Sequence, residues 1–83
     1  MTPESADALA LQIGAELQAA RLRAGLRLDD LADDTGLSPA SLSLYLRMKR
    51  MMPMSAFLLT CKALDQEPAD VIARATRAVA MRR

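Results

Sequence analysis

The stretch Leu28-Asp29-Asp30-Leu31-Ala32-Asp33-Asp34-Thr35-Gly36-Leu37-Ser38-Pro39-Ala40-Ser41-Leu42-Ser43-Leu44-Tyr45 constrains the fold more than any other part of the chain. It reads as two short helices joined by one tight turn. Leu28, Leu31 and Ala32 share a helical face at the i, i+3, i+4 spacing. Gly36 ends that helix, because glycine enters the left-handed region without steric penalty. Ser38 offers an N-cap oxygen, and Pro39 suits the first position of the next helix. Leu42, Tyr45 and Leu46 supply the inward face of that second helix. Ala32 is small where the two helices must cross closely.

Around this unit the chain reads as helical throughout. Thr2-Pro3-Glu4 is a helix start, with a cap, a proline and an acid in the first turn. The first helix runs to about Ala24, with Leu9, Ile13, Leu17 and Ala20 on one face and Gly25 closing it. Its first two turns are an extension. The second helix, from about Leu28 to Thr35, has a poor cap in Arg27; Asp29 and Asp30 compensate at the positive end of the helix dipole. The third helix runs from Pro39 to about Arg47, and Met48 to Met52 is a loop. Pro53 starts a fourth helix with Phe57, Leu58, Cys61 and Leu64 inward, and Met54 is expected to fill the core. After the turn Asp65-Gln66-Glu67, Pro68 opens a fifth helix with Val71 and Ile72 as core positions. The whole of 1–83 is one domain, since 83 residues allow a single small core. With one tyrosine, one phenylalanine and no tryptophan, that core must be aliphatic, which suits helices over strands.

The net charge of +1 hides an uneven distribution. Every acid lies at or before Asp34, or at or after Asp65. Between Thr35 and Leu64 the only charges are Arg47, Lys49, Arg50 and Lys62. The third helix and its following loop are therefore locally cationic, whereas Asp29, Asp30, Asp33 and Asp34 make the second helix acidic.

Ile13-Gly14-x-x-Leu17-x-x-x-Arg21-x-x-x-Gly25-Leu26, Leu31-Ala32, Gly36-Leu37-Ser38, Leu42-Ser43, Lys49-Arg50, and Lys62-Ala63-Leu64 with Pro68 follow one another in order. This set resembles the Cro and phage-repressor type helix-turn-helix family, over about residues 11 to 73. The resemblance implies an all-α, five-helix DNA-binding domain that acts as a small transcriptional regulator on double-stranded DNA. The third helix would enter the major groove, with Pro39, Ala40, Ser41, Ser43 and Leu44 facing the bases. Ser38, Arg47, Lys49 and Arg50 would contact phosphate. Acids at the positions of Asp29 and Asp33 touch RNA polymerase in some relatives.

The chain departs from the family in three places. Relatives carry glutamine, arginine or asparagine at the equivalents of Pro39, Ala40 and Leu44, and a phosphate-touching glutamine at Leu28. They also bury an arginine at Arg21 against a glutamate at the position of Leu46. Losing that partner sends Arg21 either to solvent or to another acceptor. Leu46 is expected to fill the vacated space. An alternative reading keeps the fold but uses the apolar third helix to dock a protein partner, as an antitoxin or a subunit of a regulatory complex would.

Two half-sites call for a two-fold dimer. The apolar pattern of the fifth helix continues past Ile72 through Ala75, Ala78 and Val79, and these are the expected homodimer contacts. Met51 or Met52 could lie near the dimer axis.

Catalysis finds no support in the sequence. Histidine, the commonest general base, is absent. There is no Cys/His metal spacing and no glycine-rich phosphate loop, so no cofactor or metal is expected. Cys61, the single cysteine, sits on an apolar face and reads as a structural thiol. A lone thiol, the absence of an apolar run of membrane-spanning length, and acids at Glu4 and Asp7 where a signal peptide is basic point to the cytoplasm.

Overall fold

The computed structural model describes residues 1–82. It contains helices α1 (Pro3–Ala24), α2 (Leu28–Thr35), α3 (Pro39–Leu46), α4 (Met54–Ala63) and α5 (Pro68–Ala80). No strand occurs among the described residues.

The helix ends follow local chemistry. The Thr2 hydroxyl accepts from the Ser5 N–H at 3.1 Å, and Pro3 opens α1. The weak cap at Arg27 is mended from the other side: the Asp30 carboxylate accepts from the Arg27 N–H at 3.2 Å. The C-termini of α1, α3 and α4 share one device. A residue just past the last turn takes a left-handed conformation, and its own N–H and that of the next residue bond back to last-turn carbonyls. At α1 the left-handed residue is Gly25, with φ 70. At α3 it is Met48 (φ 62), with Met48 N–H to Tyr45 O at 3.2 Å and Lys49 N–H to Leu44 O at 2.9 Å. At α4 it is Asp65 (φ 54), with Gln66 N–H to Cys61 O at 2.8 Å.

The core joins all five helices through Leu17, Leu31, Leu42, Leu46, Phe57, Cys61, Leu64 and Val71. Three polar residues are buried as well, Gln12, Thr35 and Thr60. Thr60 is fully buried, and its hydroxyl donates to Ala56 O at 2.7 Å. Thr35 donates to Leu31 O at 2.8 Å and accepts from the Leu37 N–H at 3.2 Å, which ties the end of α2 to the turn. Back-bonding to the preceding turn lets a hydroxyl sit in an apolar core without an unmet donor.

Several sequence expectations need correction. Leu58 and Met54 face solvent, 48% and 64% exposed, because the buried arc of α4 is rotated onto Thr60 and Ala56. Ile72 is also exposed; only Val71 enters the core from that turn. α3 ends at Leu46, with Arg47 as its C-cap.

The long α1 explains the apolar tail of α5. α1 makes its broadest contact with α5, and the extended first turns of α1 lie beside the last turns of α5, where Leu9 faces Val79 and Ala80. Ala75 is fully buried within the monomer, so it cannot contact a second copy. Ala78 and Val79 are half-buried in the same way. A polar chain secures one edge of this pair. Arg82 donates to Gln12, Gln12 donates to Glu16 at 2.8 Å, Glu16 pairs with Arg74 at 3.6 Å, and Arg74 donates to Gln66 at 2.8 Å.

Candidate nucleic-acid interface

α2 and α3 meet across the turn Gly36-Leu37-Ser38. Gly36, with φ 75, reverses the chain, and its N–H bonds to Ala32 O at 2.9 Å. Ala32, buried under the crossing, leaves room for the Leu42 side chain to reach the core. The Ser38 hydroxyl accepts from the Ser41 N–H at 3.1 Å and starts α3. A capping hydroxyl of this kind contributes about 1 kcal/mol.

Burial divides α3 into two faces. Leu42, Tyr45 and Leu46 turn inward. Ser38, Pro39 and Ala40 are exposed, and Ser41, Ser43 and Leu44 are half-exposed. All five expected base-facing residues therefore reach the surface at the start and along the outer side of α3. They present two hydroxyls and apolar groups, and no amide or guanidinium. The side that can hydrogen-bond in two places at once to a base edge is thus absent from this helix.

The positively charged residues lie immediately beyond. The left-handed turn at Met48 swings the chain away from the α3 axis, leaving Arg47, Lys49 and Arg50 exposed. None of the three is in a salt bridge among the described residues. Ser38, at the opposite end of α3, completes the expected phosphate-contacting set. Nothing in the sequence flagged Met48, because a methionine in the left-handed region is decided by the bonds around it.

The acids of α2 occupy another side. Asp29 and Asp33 are exposed and, with Pro39 and Leu37, line an open groove of about 560 Å³ between α2 and α3. Among the described residues Asp29 forms one salt bridge, to Arg27 at 4.0 Å, where both side chains are largely in water. Such a pair contributes little.

Arg21 has found other acceptors. Its guanidinium donates to Leu26 O at 2.8 Å and to Gln18 at 3.0 Å. Leu46, where relatives carry the partnering glutamate, is almost fully buried and packs in the core. Cys61 is buried too, and that burial raises its thiol above the ordinary value, opposed by the charge of Arg74. Among the described residues no cluster of His, Cys, Asp or Glu is placed to hold a metal ion, and no helix is long and apolar enough to cross a membrane.

Residues 12–78 match the model of a helix-turn-helix domain family. Among solved structures, the chain is similar to the clp gene regulator ClgR from Corynebacterium glutamicum. The two are 30% identical and superpose with a TM-score of 0.83, over 89% of this chain and 79% of that one. No curated relative matches. With an all-α architecture, a glycine turn between α2 and α3, and a family match over most of its length, the chain belongs to the helix-turn-helix family as a DNA-binding domain of the Cro and phage-repressor type.

Proposed function

We propose that this protein is a small cytoplasmic transcriptional regulator, of repressor or Cro-like type, that binds double-stranded DNA as a homodimer and without a cofactor. α3 enters the major groove with Pro39, Ala40, Ser41, Ser43 and Leu44 toward the bases. Ser38, Arg47, Lys49 and Arg50 hold the phosphates on either side. The observation that carries this reading is the continuous surface made by the exposed start of α3 and the unpaired cations at its end, in a segment free of acids. The similarity to a gene regulator supports it. The domain has no catalytic role in this reading.

A second reading rests on the apolar character of α3. Exposed Pro39 and Ala40 beside half-exposed Leu44 could dock a protein partner. One experiment separates the two: titration of labelled duplex DNA at several salt concentrations. Phosphate neutralisation gives affinity that falls steeply with salt. No binding to any duplex at low salt would remove the DNA reading and leave protein docking.

A further inference from the structure

Four of the six methionines, Met48, Met51, Met52 and Met54, fall within seven residues. They surround Lys49 and Arg50 in the loop that follows α3. The first half of this loop is tied by its main chain: the N–H groups of Lys49 and Arg50 both reach Leu44 O, at 2.9 and 3.3 Å. The second half has no such tie. Among the described residues, the main chain of Met51 and Met52 bonds to no other main-chain group. Met51 and Pro53 are exposed, and half-buried Met52 alone turns inward. It packs against the core and lines a depression of about 150 Å³ with Ile13 of α1, Phe57 of α4 and Ile72 of α5. Every residue around that depression is apolar. Met54, 64% exposed, stands on its wall, so the space is open to solutes in water.

We propose that Met52 is a site of reversible oxidation by hydroperoxides, and that its sulfoxide releases the loop and weakens the grip of Lys49 and Arg50 on DNA phosphate. The effect on affinity rests on the DNA reading above; the release of the loop does not. A lone pair of the thioether sulfur attacks one oxygen of the peroxide. The S–O bond forms as the O–O bond breaks, and the departing oxygen takes the proton and leaves as water or an alcohol. Sulfur is oxidised by two electrons and the peroxide is reduced. The product is a polar group on a side chain that was flexible and apolar. In the depression the new oxygen finds no donor, and a buried acceptor without a partner is costly. The side chain therefore turns to water and takes the loop with it. Met51, already in solvent, anchors nothing when it reacts. The competing thiol, Cys61, is buried and held protonated, which makes it a poor nucleophile. A sulfoxide reductase with a thiol reductant returns the thioether, so the change is reversible.

The test treats the protein with hydrogen peroxide and maps added oxygen by tandem mass spectrometry. Trypsin cleavage after Lys49 and Arg50 reads the loop, and titration of labelled duplex reads affinity. Met52→Leu keeps the volume and the apolar anchor but has no sulfur; Met51→Leu is the control. Treated wild type and Met51→Leu are expected to carry oxygen on Met52 and to be cut faster in the loop. They should bind duplex about 10-fold more weakly at about 0.1 M salt, the share of one phosphate contact. Met52→Leu should show neither change, although Met1 and Met81, both far exposed, take up oxygen in it. Methionine sulfoxide reductases with dithiothreitol should restore the wild type. Dithiothreitol alone should not, which separates a sulfoxide from a thiol product at Cys61. The inference is overturned if Met52 stays unoxidised while Met1 and Met81 react, if its oxidation leaves cleavage and affinity unchanged, or if Met52→Leu responds as the wild type does. Cleavage is read without DNA, so a failure of the untreated protein to bind any duplex would count against the DNA reading alone.

Discussion

Gly14 of α1 lies directly against the backbone carbonyl of Tyr45 in α3. A Cβ built on Gly14 would overlap the Tyr45 oxygen and come within 3.1 Å of its carbonyl carbon. The same oxygen accepts from the Met48 N–H, so the crossing of α1 and α3 and the left-handed turn share one atom.

Gly14→Ala is therefore expected to destabilise, against the usual preference. Alanine in a helix gains about 1 kcal/mol over glycine. Overpacking costs about 1–3 kcal/mol, and backbone yields less than a side chain. A lower urea midpoint with unchanged slope is the expected result, together with weaker DNA binding as the end of α3 shifts. A midpoint that rises would show that the two helices separate freely.

Lys49 and Arg50 carry the phosphate contact in the proposed complex. Replacing both with alanine should weaken binding to all duplexes alike. The slope of log affinity against log salt should fall by about 1.8 if both neutralise a phosphate. Fluorescence anisotropy at several salt concentrations reads both quantities. An unchanged slope would place these side chains off the DNA.

Base selection should be shallow. Ser41 and Ser43 are the only groups along the outer side of α3 that hydrogen-bond, and Pro39, Ala40 and Leu44 can only touch thymine methyls. Selection from random duplexes is expected to return AT-leaning sites with a small specific-to-nonspecific ratio. A long, sharply defined GC-rich operator would contradict this.

Asp65 occupies a left-handed position that glycine takes without penalty. It is exposed, so Asp65→Gly removes no packing; relief of a left-handed strain of about 1–2 kcal/mol against an unfolded-state entropy cost of about 0.4–1 kcal/mol should leave a net stabilisation of under about 1 kcal/mol. Asp65→Val should destabilise by at least as much. Thermal melts of the pair check the sign.

The Cys61 thiol gives the stability an alkaline limb. Burial raises its value in the folded state, so above its ordinary range the unfolded chain loses the proton first. The contribution is whole below the unfolded value and declines as pH climbs through it toward the folded one. Denaturation from pH 7 to 10 should show a decline that Cys61→Ala lacks. The native thiol should also react with a disulfide reagent only as fast as the chain opens.

The helix ends and the turn between α2 and α3 were legible because they depend on neighbours in sequence. Thr2, Pro3, Gly25, Gly36 and Ser38 act through caps and left-handed turns that need no distant partner. The acid-free window from Thr35 to Leu64, with cations at Arg47, Lys49 and Arg50, was equally plain. Residue type misleads in α4, where Leu58 is exposed and Thr60 is fully buried. Hydrophobicity favours Leu58, but the direction of packing buries Thr60, and a bond to Ala56 O removes its polar penalty.

The sequence by itself determined five helices, their order and the surface that α3 presents, because each is set by local backbone preference and by the spacing of apolar residues. Only the tertiary structure decided what the two extensions do. α1 begins early and α5 ends late because the two cover each other: Ala75 is buried, and Gln12, Glu16, Arg74 and Arg82 join along one edge. It also chose new acceptors for Arg21 and left Ile72 and Met54 in solvent. Those outcomes depend on the angles at which helices cross, and a crossing angle is fixed by the packed surfaces of both partners, which no single segment encodes.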